Sequence, residues 1–516
     1  MTVRLHNTLT RRVEELVPLA PPRVALYTCG PTVWNYAHIG NFRTFVFEDV
    51  LRRYLTYAGY AVEHVMNLTD VDDRTIKAAG EAGRRLTEHT APFIAAFFED
   101  CAYLRIAPAT HYPRATAFVP QMVALVQRLL ERGIAYRGED GSVYFAIDRF
   151  PAYGRLSRVD RRELKAGARV SSDEYDKADA RDFVLWKAAR PEDEAVGAAW
   201  DAPFGRGRPG WHLECSAMAQ TLLGETVDIH AGGVDLIFPH HEDEIAQSEA
   251  ATGKPFARHW LHAEFLQIGG TKMSKRYGNI VTARDLREDG WDAAAVRTLF
   301  CSTQYRRQLQ FTDEALKAAA AGAARLGEFR ARLVAPRSAD PAAAPGGPLP
   351  ALAGALEAAF REAMDDDLDC PRALAALMDF VREGNRAMDE RGPAVPAERD
   401  AALAEFDRVA DVLQVVPAAP TVITAEASRL RTVQGAATPA AGDGVGPDAA
   451  PLAPPGPGED LAAWAERLAR VRFAARSRKD WARADAARAL LQQHGFEVRD
   501  TKEGVQVVPK RQVPGG

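Results

Sequence analysis

Cysteine is scarce in this chain. Five occur in 516 residues (Cys29, Cys101, Cys215, Cys301 and Cys370), odd in number and widely scattered. That pattern excludes a disulfide framework and points to a reducing, cytoplasmic setting. Long apolar runs are also missing, and the first sixteen residues are polar and basic without an apolar centre. A membrane span and a secretory leader are therefore not expected. Nor is positive charge in excess: the net charge is −5. A nucleic-acid partner would have to be met by a local basic face. At this length one core is too few, and three or four domains are expected.

Residues 24–28 read as a buried strand. From Asn41 to Ala58 apolar residues fall at helical spacing, with Gly59 as the stop, and Tyr60–Leu68 reads as a second strand. This is half of a Rossmann-type unit, yet it carries neither G-x-G-x-x-G nor a P-loop. Cys29 sits at the strand's C-terminal end and His38 at the start of the helix. That crevice is where open α/β sheets bind ligands, and a helix N-terminus suits a polyphosphate.

A second informative region runs from Gly210 to Met218, and a third from Phe238 to Glu244. The expected order there is helix, strand (Thr226–His230), a turn at Ala231-Gly-Gly, then a helix beginning after Pro239. On such a helix His240 and Glu244, at i and i+4, share one face. With Cys29 and Cys215 they can complete a donor set that suits Zn²⁺. The plainer alternative is a pair of buried thiols and a surface ion pair. His240-His241-Glu242 is not H-E-x-x-H, which disfavours a metalloprotease. In Gly269–Asn279, glycines flank Lys272, Lys275 and Arg276, as in a loop that closes on phosphate or in a solvated basic turn.

Beyond Asp313 the composition becomes Ala/Leu/Glu/Arg-rich with helical periodicity over 313–333 and 350–415, separated by a Pro/Ala/Gly spacer. Residues 418–458 read as a flexible linker. The stretch 459–511 holds twelve Lys/Arg against eight Asp/Glu, with Trp464, Phe473 and Trp481 interleaved. It reads either as a single-strand nucleic-acid module or as a solvated helical hairpin with core tryptophans.

Taken together these residues resemble the cysteinyl-tRNA synthetases, class I aminoacyl-tRNA synthetases. The likeness rests on Leu5–Thr10, on Cys29-Gly-Pro-Thr-Val through His38-Ile39-Gly40-Asn41 (the HIGH segment) and on Asn67–Asp73. It continues through Gly207–Met218, Asp228–Ser248 and Lys272-Met-Ser-Lys-Arg276 (the KMSKS loop). The resemblance implies an α/β fold: a Rossmann-type parallel-sheet catalytic domain (1–114 and 206–265) split by an insertion (115–205). A loop and stem-contact region (266–335), an α-helical bundle for anticodon recognition (350–415) and a basic C-terminal tRNA-binding module (459–511) would follow.

It further implies one Zn²⁺ per chain on Cys29, Cys215, His240 and Glu244, with Trp211, Thr69 and Asp235 around the substrate cysteine. ATP, used with Mg²⁺, would meet His38, Gly40, Asn41 and Lys275. Catalysis by His38, Asn41, Lys272 and Lys275 would consist of positioning and charge, with no protein nucleophile and no editing site. L-cysteine, ATP and tRNA(Cys) are the implied partners of a cytoplasmic monomer. Asn41 stands at the second histidine of HIGH, and Arg276 at the last serine of KMSKS. Arg74 stands where some relatives carry a pyridoxal-phosphate lysine, although Lys77 remains. Two rivals share part of this pattern: a cysteine ligase of mycothiol synthesis, and an inactive tRNA-binding paralogue. Asp365–Leu374 and Lys479–Asp485 through Asp500-Thr501 resemble tRNA-reading segments and favour the synthetase.

Overall fold

The structure, a computed structural model, describes residues 2–159, 182–268, 271–272, 280–335, 347–391 and 395–418. Near the C-terminus it describes 464–465, 468–469, 471–472, 475, 481–493, 496–501 and 504–509. The chain forms two units. One holds Met1–Lys272 and Val281–Ile423; the other holds Met273–Ile280 and Thr424–Gly516.

The first unit opens with a hairpin, β1 (Arg4–Asn7) and β2 (Arg12–Glu15). Strand β3 (Arg23–Thr28) follows, and from Val24 onward it is wholly buried. A continuous apolar run of this kind belongs to a parallel strand covered on both faces. Helix α1 (Ile39–Tyr57) buries Phe42, Phe45, Val46, Val50 and Leu51 at helical spacing, and ends where Gly59 takes φ +97°. Strand β4 (Ala61–Met66) then pairs with β3 in parallel. Helices α2 (Asp73–Glu81) and α3 (Leu86–Tyr103) come next, followed by α4 (Val119–Glu131).

The insertion builds its own antiparallel sheet from β5 (Ala135–Arg137), β6 (Val143–Phe145), β7 (Phe183–Ala188) and β8 (Gly207–Pro209), in that order. A short helix, α5 (Pro191–Val196), lies between β7 and β8. Two ionic contacts tie this sheet to the start of α2, and a third, buried one ties it to α5. Lys187 and Arg208 both reach the Asp73 carboxylate, and Arg208 also meets Asp193.

The chain returns through α6 (Trp211–Leu223), β9 (Val227–Gly233), α7 (Glu242–Thr252) and β10 (Ala257–Ala263). The main sheet has the order β10-β9-β3-β4 with every pairing parallel. From β3 the chain runs outward to β4 on one side and later to β9 on the other. The gap between β3 and β9 is therefore the topological switch point. One expectation needs correction. Ala231-Gly232-Gly233 is not a turn but the end of β9, paired in register with Leu261, His262 and Ala263. Phe238 is extended, and His241, directly before α7, already has right-handed helical angles, in keeping with a helical start after Pro239.

A smaller sheet contains β11 (Leu266–Ile268), β12 (Thr271–Lys272) and, after α8 (Ala283–Glu288) and α9 (Ala293–Cys301), β13 (Leu309–Phe311). Helices α10 (Asp313–Val334), α11 (Leu349–Asp365), α12 (Cys370–Arg391) and α13 (Pro396–Leu413) complete this unit. Phe329, Phe380 and Phe406 meet at the centre of this bundle. The loop from α11 to α12 is pinned by Asp367, whose backbone has φ +58°. Its carboxylate accepts from the His6 amide, Tyr305 Oη, Gln304 Nε2 and Arg306 Nε. In the second unit a helix (Trp481–Gln493) and a hairpin (Phe496–Thr501 with Gly504–Pro509) are described. Trp464 is buried there against Leu468, Leu491 and Phe496, so this tryptophan is a core residue and not a stacking platform. The expected linker beyond Ala418, together with Phe473, lies outside the described residues.

Candidate metal and nucleotide site

Four side chains converge at the C-terminal edge of β3 and β9. Cys29 follows β3 directly, Cys215 lies in α6, His240 in the turn before α7, and Glu244 in the first turn of α7. The Cys29 and Cys215 sulfurs are 3.9 Å apart, Cys29 Sγ is 4.0 Å from Glu244 Oε1, and His240 Nε2 is 3.0 Å from Glu244 Oε1. All four are buried. Two thiolates at ~2.3 Å from a tetrahedral Zn²⁺ stand about 3.8 Å apart, so the sulfur pair has the right spacing. Two thiols, an imidazole and a carboxylate form a donor set this ion accepts. The residues fit the metal.

His241, which the donor set expected from the sequence omits, belongs to the same cluster. Its Nε2 is 3.3 Å from Cys29 Sγ, and Cys29, His240, His241 and Glu244 all offer donor atoms within 4.8 Å of one another. The neighbouring groups fix the geometry. His230, on β9, meets Glu244 Oε2 at 2.9 Å, and His262 Nε2 meets His241 Nδ1 at 2.8 Å. The signal for His230 was its place in a strand that buries both faces, and that signal does not distinguish packing from chemistry.

The electrostatics follow from burial and proximity. Burial opposes charge on His240, but Glu244 and Cys215 together outweigh it and raise the imidazole pKa to about 10. Burial likewise opposes ionisation of Glu244, yet His230 and His240 hold it at about 2. Burial raises the Cys29 thiol, which also shares a hydrogen bond with Cys215. Cys215 goes the other way, to about 6: burial is overcome by the hydrogen bond with Cys29 and by His240. The pocket thus favours a thiolate on Cys215 even before any ion is considered.

Around this cluster lie the three residues expected near an amino acid. The Trp211 indole stacks on His240, ring centroids 4.2 Å apart and planes 19° from parallel. Thr69 is buried, accepts from Asn67 Nδ2 at 3.0 Å, and its backbone pairs with Pro31 and Val33 just past Cys29. Asp235 follows β9, and its carboxylate folds over Gly233 so closely that a Cβ there would lie 2.6 Å from Oδ1. Glycine is required at 233 for that approach.

A few residues away, α1 begins. His38 caps it: the Asn41 amide donates to His38 Nδ1, and the His38 amide donates to Asn41 Oδ1. Gly40 is the second residue of the helix. With Nδ1 accepting, the neutral ring carries its proton on Nε2. Val281 and Thr282 run alongside: Val281 O accepts from the Ile39 amide at 2.9 Å. Lys272 ends β12, whereas Lys275 and Arg276 lie outside the described residues.

Residues 15–321 match the family model for the class I (C) tRNA synthetase catalytic domain. Residues 359–416 match the DALR domain, and 458–507 the cysteinyl-tRNA ligase anticodon binding domain. The chain belongs to the cysteinyl-tRNA synthetase family. A cysteine–tRNA ligase of Chlamydia pneumoniae is 46% identical over 508 residues, 98% of both chains. One of Chlamydia caviae is 43% identical over 505 residues, 98% of this chain and 97% of that one. One of Protochlamydia amoebophila is 48% identical over 391 residues, 75% of this chain and 80% of that one. Among solved structures, the methionyl-tRNA synthetase of Mycobacterium tuberculosis in complex with methionyl-adenylate superposes with a TM-score of 0.55. It covers 76% of this chain and 90% of its own at 16% identity, which speaks for the shared class I fold. In this cysteinyl-tRNA synthetase family member the two tRNA-type domain matches disfavour the amino-sugar ligase. Among the described residues no helix is long and apolar enough to cross a membrane.

Proposed function

We propose that this protein is a cytoplasmic cysteine–tRNA ligase: it activates L-cysteine with ATP and Mg²⁺ and passes the cysteinyl group to the 3′ end of tRNA(Cys). The observation that carries this reading is the convergence of Cys29, Cys215, His240 and Glu244 at the switch point of the sheet. The family membership names the reaction such a site would serve. The four residues would hold one Zn²⁺ per chain, and a bound ion would supply a soft Lewis acid that prefers thiolate to the hydroxyl of serine. A preference of ~5 kcal/mol is about four decades of discrimination, enough to make a second, hydrolytic site unnecessary.

The remaining steps belong to the chain's own groups. Trp211, stacked on His240, forms a wall beside the amino acid, while Thr69 and Asp235 supply an acceptor and a negative charge for its ammonium group. The substrate carboxylate attacks the α-phosphorus in line, an O–P bond forms, and pyrophosphate leaves. His38, through Nε2–H, and the positive end of α1 hold the phosphates. Asn41 and Gly40 keep that turn of backbone open, and Lys272 and Lys275 neutralise the charge that grows on the leaving group. A terminal ribose hydroxyl of the tRNA then attacks the carbonyl carbon, and AMP leaves.

The test is pyrophosphate exchange into ATP followed by charging of a tRNA mixture with cysteine and serine in competition. Exchange only with cysteine, and cysteine alone on tRNA, is the expected result. Exchange without transfer to tRNA would overturn the reading.

A further inference from the structure

Arg43 lies two residues beyond Asn41 on α1 and is almost fully buried, 3% exposed. Its guanidinium donates to three main-chain carbonyls: Glu264 at 2.7 Å, Phe265 and Arg307. Burying a guanidinium costs several kcal/mol unless its N–H groups are satisfied, and satisfying them here requires a planar fork that reaches two separate chain segments at once. Those segments are the roots of the smaller sheet. Glu264 and Phe265 lead into β11, and Arg307 leads into β13. The strands then run parallel, Leu266 opposite Leu309 and Ile268 opposite Phe311, with the Leu309 amide donating to Phe265 O. Strand β12 pairs back on β11, Gln267 opposite Lys272. One side chain of α1 thus clamps the base of the sheet whose third strand ends in Lys272. The same helix receives the returning chain at its other contact, Ile39 to Val281.

We propose that Arg43 is a positioning residue for the phosphate half of the active site, fixing the Lys272-bearing sheet relative to His38 and Asn41. The inference rests on the ligase reading for its kinetic consequence, though not for its structural one. Arg43 touches no residue of the Cys29–Glu244 cluster in these contacts, so the amino-acid half keeps its own supports. A lysine in its place retains the charge but reaches at most one root at a time.

The experiment compares Arg43→Lys and Arg43→Gln with Arg297→Lys. Arg297 is an equally buried guanidinium that serves Leu413 O, Leu104 O and Asp49 away from that sheet. In cysteine-dependent pyrophosphate exchange, Arg43→Lys lowers kcat about tenfold or more and raises the KM for ATP, as misplacement of charged groups by a fraction of an ångström does. The KM for cysteine and the metal content stay within twofold of the parent. Arg297→Lys lowers the melting temperature without that split. Independently of activity, hydrogen exchange in the Leu266–Lys272 peptide accelerates at least about tenfold in Arg43→Lys, while Val227–Gly233 is unchanged. Unaltered exchange in that peptide, an unaltered kcat, or a joint loss of kcat, cysteine affinity and metal would each overturn the proposal. If Arg43→Gln does not fold, Arg43→Lys carries the test alone. A parent protein that shows no cysteine-dependent exchange would refute the ligase reading, and the hydrogen-exchange arm would still decide the role of Arg43.

Discussion

His38 and Asn41 close a reciprocal pair of hydrogen bonds at the start of α1, 3.1 Å from the Asn41 amide to His38 Nδ1 and 3.2 Å from the His38 amide to Asn41 Oδ1. An asparagine at the second histidine of HIGH is thereby explained in this chain. Its side chain supplies the acceptor that completes the cap, while its backbone amide, donating to Nδ1, leaves Nε2 of His38 facing outward. Removing that acceptor with Asn41→Ala should cost about 1 kcal/mol. Asn41→Asp keeps the acceptor and hence the melting temperature, but its charge should raise the KM for ATP. Thermal unfolding alongside pyrophosphate exchange separates the two effects.

Cys215 and His241 compete for the same place in the donor set. If Cys29, Cys215, His240 and Glu244 hold the ion, Cys215→Ala strips the protein of zinc. His241→Gln should retain about one ion per chain, since that imidazole is engaged by His262. Metal analysis after dialysis gives the answer, and the opposite pattern would move the ligand set to His241.

Asp367 gathers four donors while holding φ +58°. Asp367→Ala leaves Tyr305 and Arg306 without their acceptor and puts alanine, which visits the left-handed region less readily than aspartate, at φ +58°, at an expected cost of ~3–5 kcal/mol. Asp367→Asn tolerates that backbone and still accepts hydrogen bonds, so it should cost less than half as much. Urea titrations of the two variants test the ranking.

Asp100, on α3, is buried with neither carboxylate oxygen hydrogen-bonded, and Arg284 Nε stands 3.5 Å away. Burial lifts its pKa to about 6 against the pull of Arg284 and Arg287. A carboxyl raised on folding contributes its stability below its ordinary pKa near 4 and loses it as pH rises through about 6. Asp100→Asn should therefore raise the melting temperature at pH 7.5 and leave it nearly unchanged at pH 4.

Much of this architecture can be read in the chain because local and tertiary preferences agree. The α1 stripe of Phe42, Phe45, Val46 and Val50 has one period, and Gly59 supplies the stop that period needs. Ala231-Gly232-Gly233 is where they disagree. Glycine has little strand propensity, but pairing with Leu261, His262 and Ala263 holds these residues extended. In the site, i to i+4 spacing gathers only His240 and Glu244. The two cysteines join them only as soft donors that suit the same ion, since nothing local relates residue 29 to residue 215. His241 is not legible in the chain because its value lies in a 3.3 Å approach to Cys29, which only the folded sheet creates.

Cys29 and Cys215 stand 186 residues apart with the whole insertion between them, and the final donors arrive only at His240 and Glu244. A ribosome must release nearly half of the polypeptide before all four can meet. Metal uptake during synthesis is accordingly a late event, and a truncated product ending in the insertion would leave Cys29 exposed to scavenging by whatever thiol-reactive species the cell contains.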